Sequence, residues 1–296
     1  MRGLRGRAGG TGAPGDSGRC IGIAVTLACL AIGLAGASAA QASSKLKQEF
    51  APFLDCPLAS AGVCVVAQTS GGEFKIGNKT VPISQTITLQ GGLKEDEIGA
   101  QPLIGARDGN TLSRTVLKVP GGLTGIELLG GELTATAEIA GPPSAVRINQ
   151  VDLAQGAYTA VVLPLKIKLG NPILGEECYI GSDADPIVLN LTDGTTSPPP
   201  PARPITGSKG TLADVGKGRI VRIAGNVLVD NSFAVPAATG CGTNPWLKPL
   251  ITGLVNLDAG LPAAPGHNVA IMSGSFEQTL EIYAAKYAKP PKEKKH

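Results

Sequence analysis

The feature that most constrains this chain is a strict period of two in the run of residues 132–140. Apolar residues occupy alternate positions of that run, and glutamate and threonine occupy the positions between them. Because successive side chains of a strand point to opposite faces, the run predicts a strand with one buried face and one face in water. The apolar positions are Leu133, Ala135, Ala137 and Ile139.

Similar short runs recur along the chain, and glycine or proline separates them. The chain has 41 glycines and 23 prolines among 296 residues, which disfavours long helices. Gly77 and Asn78 suit a tight hairpin turn, and Gly91 and Gly92 are expected to end a strand. The pattern predicts a mainly antiparallel all-β domain, a β-sandwich or barrel-like fold, with one or two short helices. The further predicted strands lie at residues 73–76, 79–83, 86–89, 111–119, 145–153, 159–169, 186–192, 219–229 and 267–283, and the predicted helices at residues 45–54 and 245–254.

The first 39 residues have the pattern of an export signal. Four arginines precede an uncharged apolar stretch at residues 21–36, and small residues follow it. This order predicts a signal peptide at residues 1–39 that is cleaved after Ala39. The alternatives are an uncut membrane anchor and a lipid-modified Cys29. No later segment reaches the length of a spanning helix, so the mature chain is expected to have no transmembrane span.

The remainder divides into a β-rich secreted domain at residues 40–285 and a basic tail at residues 286–296. The domain has 17 basic and 21 acidic residues, so no binding of nucleic acid is expected. A proline-rich stretch at residues 197–204 is expected to form a stiff internal loop. The tail is expected to be disordered and solvated, although its lysines are candidate contacts for an anionic envelope polymer. These lysines are Lys289, Lys292, Lys294 and Lys295.

Four cysteines remain after the predicted cleavage. An even number in an exported chain favours disulfides, and four cysteines allow three pairings. We prefer Cys56–Cys64, which closes a small loop, and Cys178–Cys241, which closes a long one. A metal site is the first alternative, but no two cysteines have Cys-x-x-Cys spacing. A catalytic thiol is the second, with His267 as its candidate base.

Several segments of the chain resemble a family of exported, signal-peptide-bearing proteins of actinobacteria. The resemblance implies export and a β-rich fold, and it implies no particular reaction. The basic tail is not part of it. The segments that carry it are residues 72–83, 89–92, 119–125, 178–186, 229–236 and 240–242.

Candidate chemistry is sparse in this sequence. The region after residue 39 has no Gly-x-Ser-x-Gly and no His-Glu-x-x-His motif. Glu176 with Glu177, and the acidic run at residues 95–97, are candidate carboxylates that are expected to lie in wet loops. Asp183 and Asp185 offer oxygen ligands to a hard cation, but the remaining ligands of a calcium loop are missing, so both are expected to be turn residues. No catalytic residue and no cofactor are therefore assigned.

Three functional hypotheses follow. The leading one is a non-catalytic secreted or envelope-associated protein with a structural or adhesive role and an unknown partner. The second is a secreted hydrolase of envelope polymer, which requires two carboxylates facing each other in a deep cleft. The third is a carrier of a small ligand, for which a large apolar cavity inside a barrel would be the mark.

Overall fold

A computed structural model of the chain describes residues 41, 44–94, 99–122, 132–156, 158–200 and 202–289. The chain separates into residues 1–45 and a compact unit of residues 46–296. In the first segment, the Ser44 hydroxyl donates to the carbonyl of Gln41 at 2.9 Å. The predicted cleavage residue Ala39 lies outside the described residues, and everything below concerns the compact unit.

Short antiparallel strands dominate the compact unit, as the alternating sequence predicts. The described strands are β1 (Val63–Ile76), β2 (Lys79–Pro82), β3 (Ile87–Leu93), β4 (Ala100–Pro102), β5 (Ile104–Gly105), β6 (Val116–Lys118), β7 (Thr134–Ile139), β8 (Arg147–Asn149), β9 (Val161–Gly170), β10 (Tyr179–Ile180), β11 (Ile187–Leu191), β12 (Thr211–Val215), β13 (Ile220–Asp230), β14 (Ala238–Thr239) and β15 (Val269–Leu280). The described helices are α1 (Gln150–Gln155), α2 (Lys248–Ala259) and α3 (Glu281–Tyr287), with 3₁₀ turns at Ala51–Phe53 and Pro143–Ala145. Residues 46–50 are also helical.

The strands form two antiparallel sheets that pack as a sandwich-like fold, so the predicted fold class is confirmed. The first sheet has the order β12-β13-β15-β1-β3-β5, and β2 also pairs with β1. The second sheet has the order β14-β10-β9-β7-β6. In the second sheet β8 and β11 also pair with β9, and β4 pairs with β8. The short helices α1 and α3 come in addition to the two helices that the sequence predicts.

The main core lies between the two sheets. Val65 of β1 and Leu89 of β3 contribute to it from the first sheet, and Leu165 of β9 and Leu189 of β11 contribute from the second. In β11 the inward residues are buried while Val188 and Asn190 are exposed, which is the alternation that the sequence predicts for this strand. Burying one side of each sheet supplies most of the stabilisation of such a fold.

A second, smaller core covers the other face of the first sheet. Phe50 and Phe53 from the N-terminal helical residues pack there, together with Val66 of β1 and Ala284 of α3. Strand β1 is therefore buried on both faces along part of its length. A strand in that position is apolar at successive residues instead of alternate ones. For this reason residues 63–69 show no period of two in the sequence.

Four sequence expectations about local structure are wrong. The predicted strand at 111–119 is shortened to β6. Gly91 and Gly92 do not end their strand but lie inside β3, where the Ile104 carbonyl and Ala61 approach too closely to leave room for a Cβ atom. The predicted strand at 145–153 turns into helix α1, because the Asn149 side chain accepts from the backbone N–H groups of the first turn. The predicted strand at 267–283 ends at Leu280, where α3 begins.

Both preferred disulfides are present. Cys56 and Cys64 join the 3₁₀ turn region to β1, and Cys178 and Cys241 join the start of β10 to the residues after β14.

The proline-rich stretch forms a loop whose base is closed where Thr196 and Ile205 exchange hydrogen bonds. Within the described part of the chain, no helix has both the length and the apolar character that crossing a membrane requires.

Candidate functional site

An apolar cavity lies between the two sheets, and helix α2 closes part of it. Strands β1, β2 and β3 line it from the first sheet, and β6, β7, β9 and β10 line it from the second. Val255 and Ala259 of α2 complete the wall. The larger apolar side chains of the wall are Phe74, Ile76, Val81, Ile87, Leu117, Leu165, Ile167 and Leu169.

Two alanines of β7 leave room for this cavity. Ala135 lies opposite Leu117 of β6 and Leu169 of β9, and Ala137 lies opposite Ile167 of β9. All five of these side chains line the cavity. A strand that faces a packed sandwich core usually carries larger branched residues at such positions. The small side chains on β7 therefore leave space that their neighbours in the sheet do not fill.

The dimensions of the cavity indicate a narrow slot. Its volume is about 80 Å³, although side chains of seven strands and of α2 border it. So narrow a space suits a slender apolar group better than a round one.

Few polar side chains border the slot. Lys79 is the charged one among the described lining residues, and its Nζ contacts Asp258 of α2 at 2.7 Å and donates to the carbonyl of Gly122 at 2.9 Å. The hydroxyls of Ser113 and Thr115 lie 2.8 Å apart. These groups can orient one polar end of a ligand, while the rest of the wall offers only apolar contact.

Helix α2 is held in place by its own polar residues. The Asn256 side chain accepts from the backbone N–H of Ala238 at 2.7 Å and donates to its carbonyl at 3.1 Å. Thr252 donates to the carbonyl of Cys241, so the Cys178–Cys241 disulfide lies directly beside the helix. Gly260 ends the helix in the left-handed region, with a φ of 66°.

An open polar groove contains the candidate carboxylates Glu176 and Glu177. Each is ion-paired, Glu176 to Lys168 at 2.6 Å and Glu177 to Lys248 at 2.9 Å. The hydrogen bond from each lysine, followed by its charge, lowers the pKa of each glutamate. Both side chains are therefore ionised at neutral pH, whereas glycoside hydrolysis needs one carboxyl that keeps its proton. The acidic run at residues 95–97 lies outside the described residues.

The weak metal candidates Asp183 and Asp185 occupy a turn. Asp183 accepts from Lys166 Nζ at 2.8 Å and from the backbone N–H of Gly141 at 3.0 Å, and these two hydrogen bonds lower its pKa. The backbone of Asp185 closes the turn with Ser182. In the described ranges, no three His, Cys, Asp or Glu side chains are grouped closely enough to hold a metal ion.

The thiol hypothesis is wrong, because Cys56, Cys64, Cys178 and Cys241 are all in disulfides. His267 is an exposed loop residue that precedes β15. In the basic tail Lys289 is exposed, and the three other candidate lysines lie outside the described residues.

Asp193 is a buried acid that sequence reasoning did not single out. It is 3% exposed, and neither carboxylate oxygen has a hydrogen-bond partner in another described residue. Burial raises the pKa of Asp193; the Asp152 carboxylate also raises it, and the Lys209 charge opposes the rise. Its carboxyl is therefore more easily protonated in the folded chain than in the unfolded chain.

Replacing Asp193 by asparagine is expected to stabilise the protein at neutral pH by about 1–2 kcal/mol, because it removes a buried charge that no other described residue hydrogen-bonds. Between the ordinary carboxyl pKa of 3.8 and the raised one, the folded state binds more protons than the unfolded state. The contribution of Asp193 to stability thus falls as the pH rises through that interval. The check is Tm against pH for both proteins: the gain from Asp193→Asn should grow with pH.

Asp183→Asn is the matched control, since the pKa of Asp183 is lowered by its partners. Any stability that Asp183 contributes is present above its unfolded pKa and is lost on acidification. A gain from Asp193→Asn that is independent of pH would contradict the assignment.

The signal for the cavity was present in the sequence, in Ala135 and Ala137 on the apolar face of a strand. The sequence does not show which side chains lie across from them.

Comparisons of this chain with protein-family models, with curated proteins and with solved structures found no match.

Proposed function

We propose that this protein is an exported, non-enzymatic carrier that holds a slender apolar or amphipathic molecule, such as an acyl chain, between its two sheets. The observation that carries the proposal is the apolar slot lined by both sheets and by α2. Two disulfides support export, because such bonds persist in oxidising compartments. The cell envelope is the proposed location.

The physical argument starts from packing density. Protein interiors are ordinarily filled almost as densely as organic crystals, and an unfilled apolar space lowers stability. Apolar cavities stay dry and take up apolar molecules of suitable shape. The wall formed by Phe74, Leu165 and Leu169 offers such a molecule dispersion contacts along its length, and the hydroxyl oxygens of Ser113 and Thr115 offer hydrogen-bond acceptors for a polar end.

The other hypotheses have less support. The ionised Glu176 and Glu177 do not supply the acid that the hydrolase hypothesis requires. The structural or adhesive role stays a prediction that no observation on this structure tests.

The test fills the slot with protein atoms. Ala135→Leu adds three carbons to the wall and is expected to weaken the binding of cis-parinaric acid, a fluorescent fatty acid, by about tenfold or more. Ala135→Val should weaken binding less, because it fills less of the space. Fluorescence titration gives the dissociation constants, and thermal unfolding checks that both variants keep the parental Tm within a few degrees.

Ala213→Leu is the control, because Ala213 lies on the exposed strand β12 away from the slot. It adds the same atoms to the surface and should leave binding unchanged. Undiminished binding by a folded Ala135→Leu variant would overturn the proposed function, as would failure of the parental protein to bind the probe.

A further inference from the structure

Helix α2 presents an apolar face to solvent. Leu247, Leu250, Leu254 and Leu257 follow one another at steps of three, four and three residues, which places them on one side of the helix. They are 47%, 61%, 44% and 78% exposed, and Trp246, just before them, is 91% exposed. We call these five residues the apolar stripe. The solvent side of a surface helix is normally polar, whereas here no other described residue covers the five apolar side chains.

The stripe cannot be buried by simply rolling the helix. Val255 and Ala259 on the opposite side are buried against the core, and Asn256 pairs with the backbone of Ala238. The disulfide beside Thr252 adds a covalent restraint near the helix. The stripe therefore belongs to a fixed helix whose inner side lines the slot.

The stripe is also free of charge. Lys248 is paired with Glu177, and Asp258 is paired with Lys79 toward the slot. No charged or hydrogen-bonding side chain lies among the five stripe residues except the indole N–H of Trp246. The surface that complements it must be apolar and must accept an indole at its polar boundary.

The exposed area of the stripe bears on which partner fits. Taking about 200 Å² for a fully exposed side chain of this size, the five residues expose on the order of 600 Å². That equals the upper end for the largest apolar patch of a typical monomer. Two copies that met only through their stripes would bury at most about 1,200 Å², the lower limit for a stable protein interface.

We propose that the apolar stripe docks on the surface of a lipid bilayer, with Trp246 at the boundary between headgroups and acyl chains. A bilayer supplies apolar contact without requiring paired charges, and tryptophan is enriched at that boundary. This inference rests on the proposed function, because a carrier of an apolar molecule has to exchange it with a lipid phase. Helix α2 would then contact the lipid with its outer side and the ligand with its inner side.

The single tryptophan of the chain makes the proposal directly measurable. Without lipid, Trp246 should show the emission of a water-exposed indole and full access to a soluble quencher. Phosphatidylcholine vesicles should shift that emission to shorter wavelength and protect it from quenching, and the full chain should co-float with them. Neutral vesicles are used so that the lysine-rich tail adds no attraction.

The variant Leu250→Gln with Leu254→Gln should lower partitioning to these vesicles by about tenfold or more, because two apolar contacts are lost. Leu212→Gln with Val188→Gln is the matched control, since both residues are exposed apolar side chains on strands. Because every variant is made in the full chain, residues 1–45 contribute equally to all of them. Binding of cis-parinaric acid by the double leucine variant, measured without vesicles, should equal that of the parental protein.

Three outcomes would overturn this inference. The first is vesicle binding that the leucine substitutions leave unchanged. The second is a short-wavelength Trp246 emission in lipid-free protein that does not vary with concentration, which would mean that the chain itself covers the stripe. The third is an emission that shifts with protein concentration alone, which would mean that a second copy covers it. Failure of the slot variants with intact vesicle binding would refute the carrier and leave the docking surface standing.

Discussion

Replacing Cys178 and Cys241 together by alanine should lower the free energy of unfolding by about 4 kcal/mol. The bond closes a loop with a sequence separation of 63 residues, and the loss of unfolded-state entropy grows with the logarithm of loop length. Both cysteines are fully buried, so alanine keeps the sites apolar. Urea unfolding of the oxidised proteins, extrapolated to water, gives the two free energies.

Removing the Cys56–Cys64 bond provides the comparison. Its sequence separation is 8 residues, for which the same entropic argument gives about 2.5 kcal/mol. The long-loop variant should therefore be the less stable of the two. Equal losses, or a larger loss at the short loop, would show that native contacts rather than loop closure dominate.

Replacing Asn268 by leucine should cost about 3–5 kcal/mol, although leucine is apolar and has the same number of side-chain heavy atoms. Asn268 is fully buried, and its amide lies within hydrogen-bond distance of four backbone groups. Its oxygen accepts from Gly77 N–H at 3.0 Å, and its nitrogen lies within 3.3 Å of three carbonyl oxygens, those of Phe233, Ala263 and Ala264. Leucine would remove the partner of the buried Gly77 N–H and of the Phe233 carbonyl, whereas the carbonyls of Ala263 and Ala264 keep their backbone donors.

Aspartate at the same position gives a sharper test, because its shape matches asparagine but its carboxylate cannot donate. Asn268→Asp should be as destabilising as Asn268→Leu at neutral pH. It should recover part of the loss on acidification, because a protonated carboxyl regains one donor and a buried acid has a raised pKa. Gln85→Glu, the same amide-to-acid change at an exposed position, should change stability by less than about 0.5 kcal/mol. A loss at Asn268→Asp that does not respond to pH would contradict the proposed network.

Asn268 also links the hairpin to the candidate site. Gly77 occupies the turn between β1 and β2 with a φ of 55°, and a Cβ there would collide with the carbonyl of Ala259 at the end of α2. Asn78 donates its backbone N–H to that same carbonyl at 2.9 Å. The turn that the sequence predicts from Gly77 and Asn78 thus fixes the end of the helix that closes the slot.

The sequence predicts the strands well where one face of a sheet meets water. The alternation at 186–192 appears as β11, where burial repeats every second residue. The alternation at 132–140 also appears as a strand, β7, but there every residue is half-buried. The prediction fails where burial is not one-sided, as in β1, and where a capping side chain competes with strand pairing, as at Asn149. The disulfide pairing was predictable because few cysteines leave few pairings.

The candidate site was only half predictable. The sequence places Ala135 and Ala137 on the apolar face of a strand, but whether the facing sheet fills the space depends on side chains far away in the chain, such as Phe74 and Ile87. The predicted helix at 245–254 overlaps α2, yet its periodicity alone does not show which side is covered. The buried Asp193 carries no local mark that separates it from a turn aspartate.

By itself the sequence predicted the alternation of strands such as β11, the turn at Gly77 and Asn78 and the preferred disulfide pairs, because those properties depend on neighbouring residues or on a small number of cysteines. The slot, the outward leucines of α2 and the backbone contacts of Asn268 were decided by the tertiary structure. Each depends on groups that are distant in sequence and meet only when the two sheets and the helix pack together. Local periodicity predicts that one face of a strand is buried. Only the folded structure shows which residues cover that face and how much of it stays exposed.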